Sequence, residues 1–393
     1  MKNKQTIGLF GFGVVGEGLF QVLKETQFEN AEIVKICIKQ KDKKRTISPE
    51  YFTTNSNEIL DNEEINLVVE LIDNAEDAYE IVTTALKKGK SVVSGNKNMI
   101  AKHLPELIEL QKKHNVALLY DASACGSIPI IRNLEEYYDN DLLQAITGIL
   151  NGSSNYILSK IFNENMDYHV ALKQAQDLGF AESNPVFDVE GYDSLYKLCI
   201  ITAHGFGTII KPEEVLNYGI SNISASDIKY AREKGFKIKL VAQTLKLDNK
   251  HVTLFVLPKL VSPEEYIYNV ENEFNGVVIE GKYYDKQFMF GRGAGAFPTS
   301  SAVLSDITAR THNYKYEYKK INRDSNLQFT TNTEIKIYLR YANVVDFSHF
   351  EFESISERYS SKEFNYVVGK IKLTNLMSLR ALLPKIDVFL AVL

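Results

Sequence analysis

Asp193 and Lys197 stand four residues apart in Gly191-Tyr192-Asp193-Ser194-Leu195-Tyr196-Lys197. A helix is predicted to start near Tyr192, and on it that spacing sets carboxylate and ammonium side by side on one face. Asp193 in the first turn also suits the positive end of the helix dipole. An isolated Asp/Lys pair is ordinarily an exposed ion pair. Here Leu195, Leu198, Cys199, Ile200 and Ile201 make the rest of the helix apolar, so the charged face is narrow. A lysine in that setting can act as a proton donor. The preceding loop, bounded by Gly179 and Pro185, carries Glu182, and Asp188 follows shortly after. Asn151-Gly152-Ser153-Ser154-Asn155 lies between a strand-like run and Tyr156-Ile157-Leu158. It is either a polar turn for a small polar ligand or a helix cap made by Ser153 or Ser154. Lys97, in Ser94-Gly95-Asn96-Lys97, follows a short apolar run at the end where open parallel sheets bind ligands.

Such side chains act only on something held beside them, and the densest binding signal opens the chain. Residues 6–10 (TIGLF) read as a strand, followed by Gly11-Phe12-Gly13-Val14-Val15-Gly16 and a helix over 17–24. The first glycine permits the tight turn, Gly13 lets the backbone approach a pyrophosphate, and Gly16 lets helix and strand pack closely. The helix N-terminus offers free N–H groups to the phosphates. The same spacing also occurs in plain glycine turns, but here strand, helix and further βα units surround it. Strands at 33–38, 67–72, 91–94 and 116–120, with helical spacers at 75–88 and 104–114, predict a parallel sheet joined by right-handed crossovers. The ligand that fits is a nicotinamide dinucleotide. NAD-selective sites end the second strand in an acidic residue. This one ends in Lys39-Gln40-Lys41, with Lys43, Lys44 and Arg45 behind. Cations there suit a 2′-phosphate, so NADP is favoured with Lys39 as a contact. NAD, or a merely solvated basic loop, is the alternative.

After Pro129 helical patterns mix with strands at 144–150 and 251–258, the latter alternating like a half-buried antiparallel strand. A hairpin is predicted over 275–290, and the glycine-rich 291–295 follows. Beyond about 320, strand-like runs at 334–341, 366–373 and 388–393 surround a short helix at 377–382. The predicted fold class is α/β. A Rossmann-type parallel sheet forms an NAD(P)-binding domain over 1–130. An α+β catalytic and dimerisation domain over 131–310 follows, its end returning to the nucleotide domain. A small C-terminal α+β extension covers 320–393. A chain of 393 residues accommodates this number of domains. With 45 basic and 50 acidic side chains its net charge is −5, which lacks the basic field of nonspecific nucleic-acid binding. No stretch approaches the 18 or so apolar residues of a membrane span, and no secretory segment opens the chain, so a soluble cytoplasmic protein is expected. Cys37, Cys125 and Cys199 have no CxxC spacing, which argues against a disulfide framework or a thiolate zinc site.

Five segments in one order carry a resemblance: GFGVVG, SGNK, NGSSNYIL, GFAESNPVFDVEGYDSLYK and GRGAGAFPTSSAV. Together, over residues 5–310, the chain resembles homoserine dehydrogenases. The resemblance implies reversible hydride transfer between a nicotinamide cofactor and the L-homoserine / L-aspartate 4-semialdehyde pair, within threonine, methionine and isoleucine biosynthesis. It makes Lys197 the proton donor to the aldehyde oxygen, with Asp193 orienting it, and puts Lys97 near the nicotinamide. Glu182 would hold the substrate amino group, Asp188 would support the site, and Asn151, Gly152 and Ser153 would line it. Phe12, Gly13, Val14, Val15 and Gly293 or Gly295 would contact the cofactor. It further implies a homodimer, a tail that is either ACT-like or a plain structural or dimerising extension, and a sodium ion on the backbone of Asp121, Ala124, Gly126 and Ile128. The chain departs from the family pattern at Phe180 (tyrosine), Asn184 (aspartate) and Asp73-Asn74 (two glycines).

Two rivals remain at the level of sequence. A semialdehyde dehydrogenase would use Cys125 as nucleophile, but its small-residue loop has no nearby histidine to activate a thiolate. A non-catalytic NADP-binding sensor of the same fold would account for the departures and is the alternative function.

Overall fold

The computed structural model describes residues 3–26, 28–40, 43–323, 327–362 and 364–393, so Lys41 lies outside the described residues. The chain divides into two compact units, Met1–Asp139 with Arg292–Asn322, and Asn140–Gly291 with Arg323–Leu393.

The first unit alternates β1 (Gln5–Phe10), α1 (Val14–Thr26), β2 (Ala31–Cys37), β3 (Phe52–Thr53), β4 (Leu67–Glu70), α2 (Ala75–Lys87), β5 (Ser91–Ser94), α3 (Lys97–His114) and β6 (Leu118–Leu119). The strands are parallel in the order β3-β2-β1-β4-β5-β6, the 3-2-1-4-5-6 order of dinucleotide-binding sheets. Ile7, Leu9, Val68, Val69, Val92, Val93 and Leu118 are fully buried, as strands covered on both faces must be. The order reverses between β1 and β4, and in such sheets that is the ligand crevice. Asn74 and Asn96 cap α2 and α3 by accepting the Asp77 and Met99 N–H groups. β4 stops two residues short of the predicted 72 because the Glu70 carboxylate turns back to accept the Ile72 N–H. A returning helix, Ala296–Thr311, lies on α1, where a Cβ at Gly18 would stand 2.7 Å from Ser300 Oγ.

The second unit is built on a mixed sheet. Its main elements are β7 (Leu143–Ile149), α4 (Gly152–Glu164), α5 (Tyr168–Asp177), α6 (Tyr192–Phe206), α7 (Ala225–Glu233), β8 (Lys237–Lys246), β9 (His251–Val261), β10 (Phe274–Gly281) and β11 (Asp285–Arg292). Strands β12 (Glu334–Tyr341), β13 (Phe352–Ser360), β14 (Asn365–Lys372) and β15 (Val388–Val392) complete it. Among the described residues the order is β11-β10-β7-β8-β9-β15-β12-β14-β13, with Leu216–Asn217 and Gln328–Phe329 pairing beside β9. The later strands therefore continue the same sheet. β9 is buried almost along its whole length rather than half-buried, because it lies mid-sheet against β8. Sequence patterning misses β8 and β13, and the short tail helix is Leu373–Ser378 rather than 377–382.

Candidate active site

In the second unit α6 begins on Gly191, whose φ of +80° is the left-handed conformation that glycine adopts without strain. A Cβ there would stand 3.1 Å from Val256. The apolar sequence sinks this helix into the unit and takes its one charged pair with it. Lys197 Nζ meets Asp193 Oδ2 at 2.7 Å, with side chains 9% and 6% exposed. Nζ also donates to the Leu150 carbonyl at 2.7 Å. Asn151 Nδ2 donates to Asp193 Oδ2 at 3.0 Å and to Asp188 Oδ1 at 2.7 Å.

Asn151 is also the cap of α4, its side-chain oxygen accepting the Ser154 N–H at 2.8 Å. The cap is thus Asn151, not Ser153 or Ser154, because its side chain accepts the first-turn N–H while the Ser153 and Ser154 hydroxyls donate to the Phe180 and Asn151 carbonyls. One residue both starts the helix and ties two carboxylates together. Ser153 Oγ donates to the Phe180 carbonyl, linking α4 to the loop that carries Glu182. A Cβ on Gly152 would fall 2.5 Å from the Glu273 carbonyl. Asn151, Asp188, Asp193 and Lys197 therefore form one hydrogen-bonded cluster. Glu182 stands outside it with an exposed side chain, and Gln176 holds its carbonyl at 3.0 Å. Phe180, where a hydroxyl would have been, lays its ring 4.9 Å from that of Tyr156.

In the first unit the glycine motif has the geometry that phosphate binding requires. Gly11 has φ +92°, and a Cβ there would meet the Leu71 carbonyl at 2.6 Å. Gly16 packs on the Gly11 carbonyl, which a Cβ would approach to 2.4 Å. Around Gly13 nothing lies within 4 Å of a Cβ position, leaving an open cradle before the α1 N-terminus. Those residues fit a dinucleotide pyrophosphate. Val14 and Val15 form the first turn of α1, and Phe12 packs edge-on against Phe20 and Phe52. Lys39 is exposed and paired with Asp77 at 2.6 Å. Arg45 stands over the Phe52 ring at 4.9 Å and donates to the Gln40 and Lys43 carbonyls. Lys97 opens α3 directly after β5. Gly295 caps the returning helix at φ +117°, and a Cβ at Gly126 would meet the Gly293 carbonyl at 2.6 Å.

Sequence reasoning passes over Glu70, although an acidic residue inside LVVELI is the visible signal. It is fully buried, and that burial pushes its carboxyl up to about 7. Ser94 donates to it at 2.5 Å and accepts the Asn96 N–H at 3.1 Å, so the network reaches the residue before Lys97.

The 121–128 loop contains the short helix Ala122–Cys125. The carbonyls of Asp121 and Ile128 already accept the Ala124 and Ile130 N–H groups, which leaves the proposed sodium cage half committed to internal hydrogen bonds. Among the described residues no group of three or more His, Cys, Asp or Glu is placed to hold a metal ion. Cys125 is fully buried, unlike an attacking thiolate.

Comparison with known proteins decides the family. The family model described as homoserine dehydrogenase matches residues 129–308, and that for its NAD-binding domain matches residues 11–121. The chain is 38% identical to the homoserine dehydrogenase of Synechocystis, over 77% of this chain and 72% of that one. The chain belongs to the homoserine dehydrogenase family. The Bacillus subtilis homoserine dehydrogenase is 34% identical over 79% of this chain and 73% of its own length. Among solved structures, a homoserine dehydrogenase from Thiobacillus denitrificans superposes with a TM-score of 0.84 at 29% identity, covering 100% of this chain and 99% of that one. A hyperthermophilic archaeal homoserine dehydrogenase in complex with NADPH gives a TM-score of 0.68 at 27% identity, covering 80% of this chain and 99% of its own. This homoserine dehydrogenase family member is accordingly an NAD(P)-dependent oxidoreductase acting on a small molecule, and the sensor alternative is not favoured. No helix among the described residues is long and apolar enough to cross a membrane.

Proposed function

We propose that the chain interconverts L-aspartate 4-semialdehyde and L-homoserine, with Lys197 as the proton donor. One observation carries this assignment. Among the described residues Nζ of the buried Lys197 has two partners, Asp193 and the Leu150 carbonyl, and an ammonium has three N–H donors. The third remains for a substrate oxygen. A nicotinamide nucleotide held at the Gly11–Gly16 turn would supply the hydride chemistry in both directions. As the carbonyl bond becomes an alkoxide, the ammonium of Lys197 stabilises the negative oxygen and gives it a proton. Asp193 holds the ammonium in place, Asn151 donates to Asp193, and Asp188 accepts from Asn151 and holds that amide. The exposed carboxylate of Glu182 pairs with the substrate's ammonium group. Lys97, at the strand ends of the nucleotide unit, serves the nicotinamide end of the cofactor.

NADP is the cofactor of this proposal, supported by Lys39 and Arg45 where an NAD site would carry a carboxylate. A cytoplasmic homodimer completes it. The dimer is supported by exposed aromatic residues on edge strand β11, where Phe288 stacks on Tyr266 and Phe290 on Phe274.

The test is absorbance of the reduced nicotinamide with L-homoserine and NADP, then NAD, beside Lys197→Met. Reduction by the wild type, with a rate about 10²- to 10⁴-fold lower in the variant and unchanged cofactor binding, is the expected result. Cofactor binding without turnover in either direction refutes the assignment.

A further inference from the structure

Asn275 lies in β10 directly before Gly276, which pairs with Ile149 at the end of β7. Leu150 and Asn151 follow Ile149 and form the turn into α4. Asn275 is fully buried, and its Nδ2 donates to the Leu150 carbonyl at 3.0 Å. That carbonyl is the one that accepts from Lys197 at 2.7 Å. The other end of the amide, Oδ1, is buried without a hydrogen-bond partner among the described residues. Buried polar atoms in native proteins are nearly always satisfied, so an orphan acceptor calls for a reason. Turning the amide over would set oxygen against oxygen at Leu150. The carbonyl that Asn275 serves therefore dictates the orientation, at the expense of its own oxygen. The close approach of Gly152 to the Glu273 carbonyl brings the start of β10 against this same turn.

We propose that Asn275 is a positioning residue for the proton transfer. By occupying one lone pair of the Leu150 carbonyl it fixes the other toward Nζ, and with it the direction of the N–H left for the substrate. It acts through Leu150. The inference rests on the reading of Lys197 as proton donor.

Two variants test it. Asn275→Leu keeps the branching at Cγ and has no donor. Asn275→Asp keeps the shape and donates only when protonated, and its burial raises the pH at which that proton is lost. kcat and KM with homoserine, cofactor affinity and thermal unfolding are measured for both. Lys197, Asp193 and Asp188 are charged groups facing the same turn and are common to all three proteins, so each rate is taken as a ratio to wild type at the same pH. The leucine variant is expected to lose about ten- to a hundred-fold in kcat at every pH, the scale of a misplaced reacting group, with unchanged cofactor affinity. The aspartate variant is expected to approach wild type near about pH 6 and the leucine variant near about pH 9. A folded leucine variant with wild-type kcat overturns the proposal, and so does a loss confined to cofactor affinity or unfolding temperature. If the leucine variant does not fold, an aspartate ratio that stays flat with pH overturns it. A wild type without turnover removes the reading of Lys197 and this inference with it. An active wild type matched by the leucine variant removes only the inference.

Discussion

Asp193 neutralises Lys197 and fixes its direction, and both groups are almost out of reach of water. Removing one partner of such a pair leaves an uncompensated buried charge. Asp193→Ala is therefore expected to lower the unfolding free energy by about 3 kcal/mol, read by urea denaturation, and to depress kcat more than cofactor affinity. Glu70 makes a different prediction. Its carboxyl, pushed up to about 7 by burial, holds a proton more tightly in the folded protein than at the ordinary value of 4.5. Its contribution to stability is thus fully present below about pH 4.5 and is lost as pH rises through about 7, a fall of about 3 kcal/mol. Asp306 is pushed up by burial and by Asp121, and it adds to the fall in the same direction. Glu70→Gln should flatten the decline of unfolding temperature between those limits, and an unchanged slope would exclude the assignment. The Asp193/Lys197 pair was legible in the sequence because both residues share one helical turn. The double role of Asn151 and the placement of Asn275 were not, because the partners lie tens of residues away: the packing of α6 against the turn brings Asp193 to Asn151, and β7–β10 pairing brings Asn275 to Leu150.

At the scale of elements, α6 carries the chemistry and Gly191 sets where it starts. Alanine there must take up a left-handed φ and press its Cβ on Val256 at 3.1 Å. Gly191→Ala is expected to cost about 1–2 kcal/mol, visible as a lower unfolding temperature, together with a reduced kcat as the first turn shifts under Asp193. Such a cost without any kinetic effect would separate the helix start from the site. The parallel strands were legible because burial on both faces leaves unbroken apolar runs. The edge strand β13 was not, because FESISERYS is exposed over most of its length and carries no apolar face to read. β8 escaped notice for the opposite reason: lysines and a glutamine interrupt its sequence, yet it is mostly buried between β7 and β9.

At the scale of the molecule, residues beyond 330 are built into the second unit. Arg340 donates to Asp227 at 3.0 Å and to Asp387 at 2.9 Å, and Tyr338 donates to the same fully buried Asp227 at 2.9 Å. Truncation after residue 330 would strand that carboxylate and bare one side of β9, so an inactive, aggregating product is expected in a solubility assay. A soluble, active truncate would show the tail to be separable. The place of β15 has a consequence for how the protein is made. Val388–Val392 lies between β9 and β12 in the middle of the sheet. A ribosome that has already delivered β7 to β11 has therefore delivered a surface still missing its neighbour. That surface must wait, its apolar strands exposed, until Val392 has emerged. Long-range closure of this kind is slow, and until it happens an unpaired strand edge stands open to mispairing.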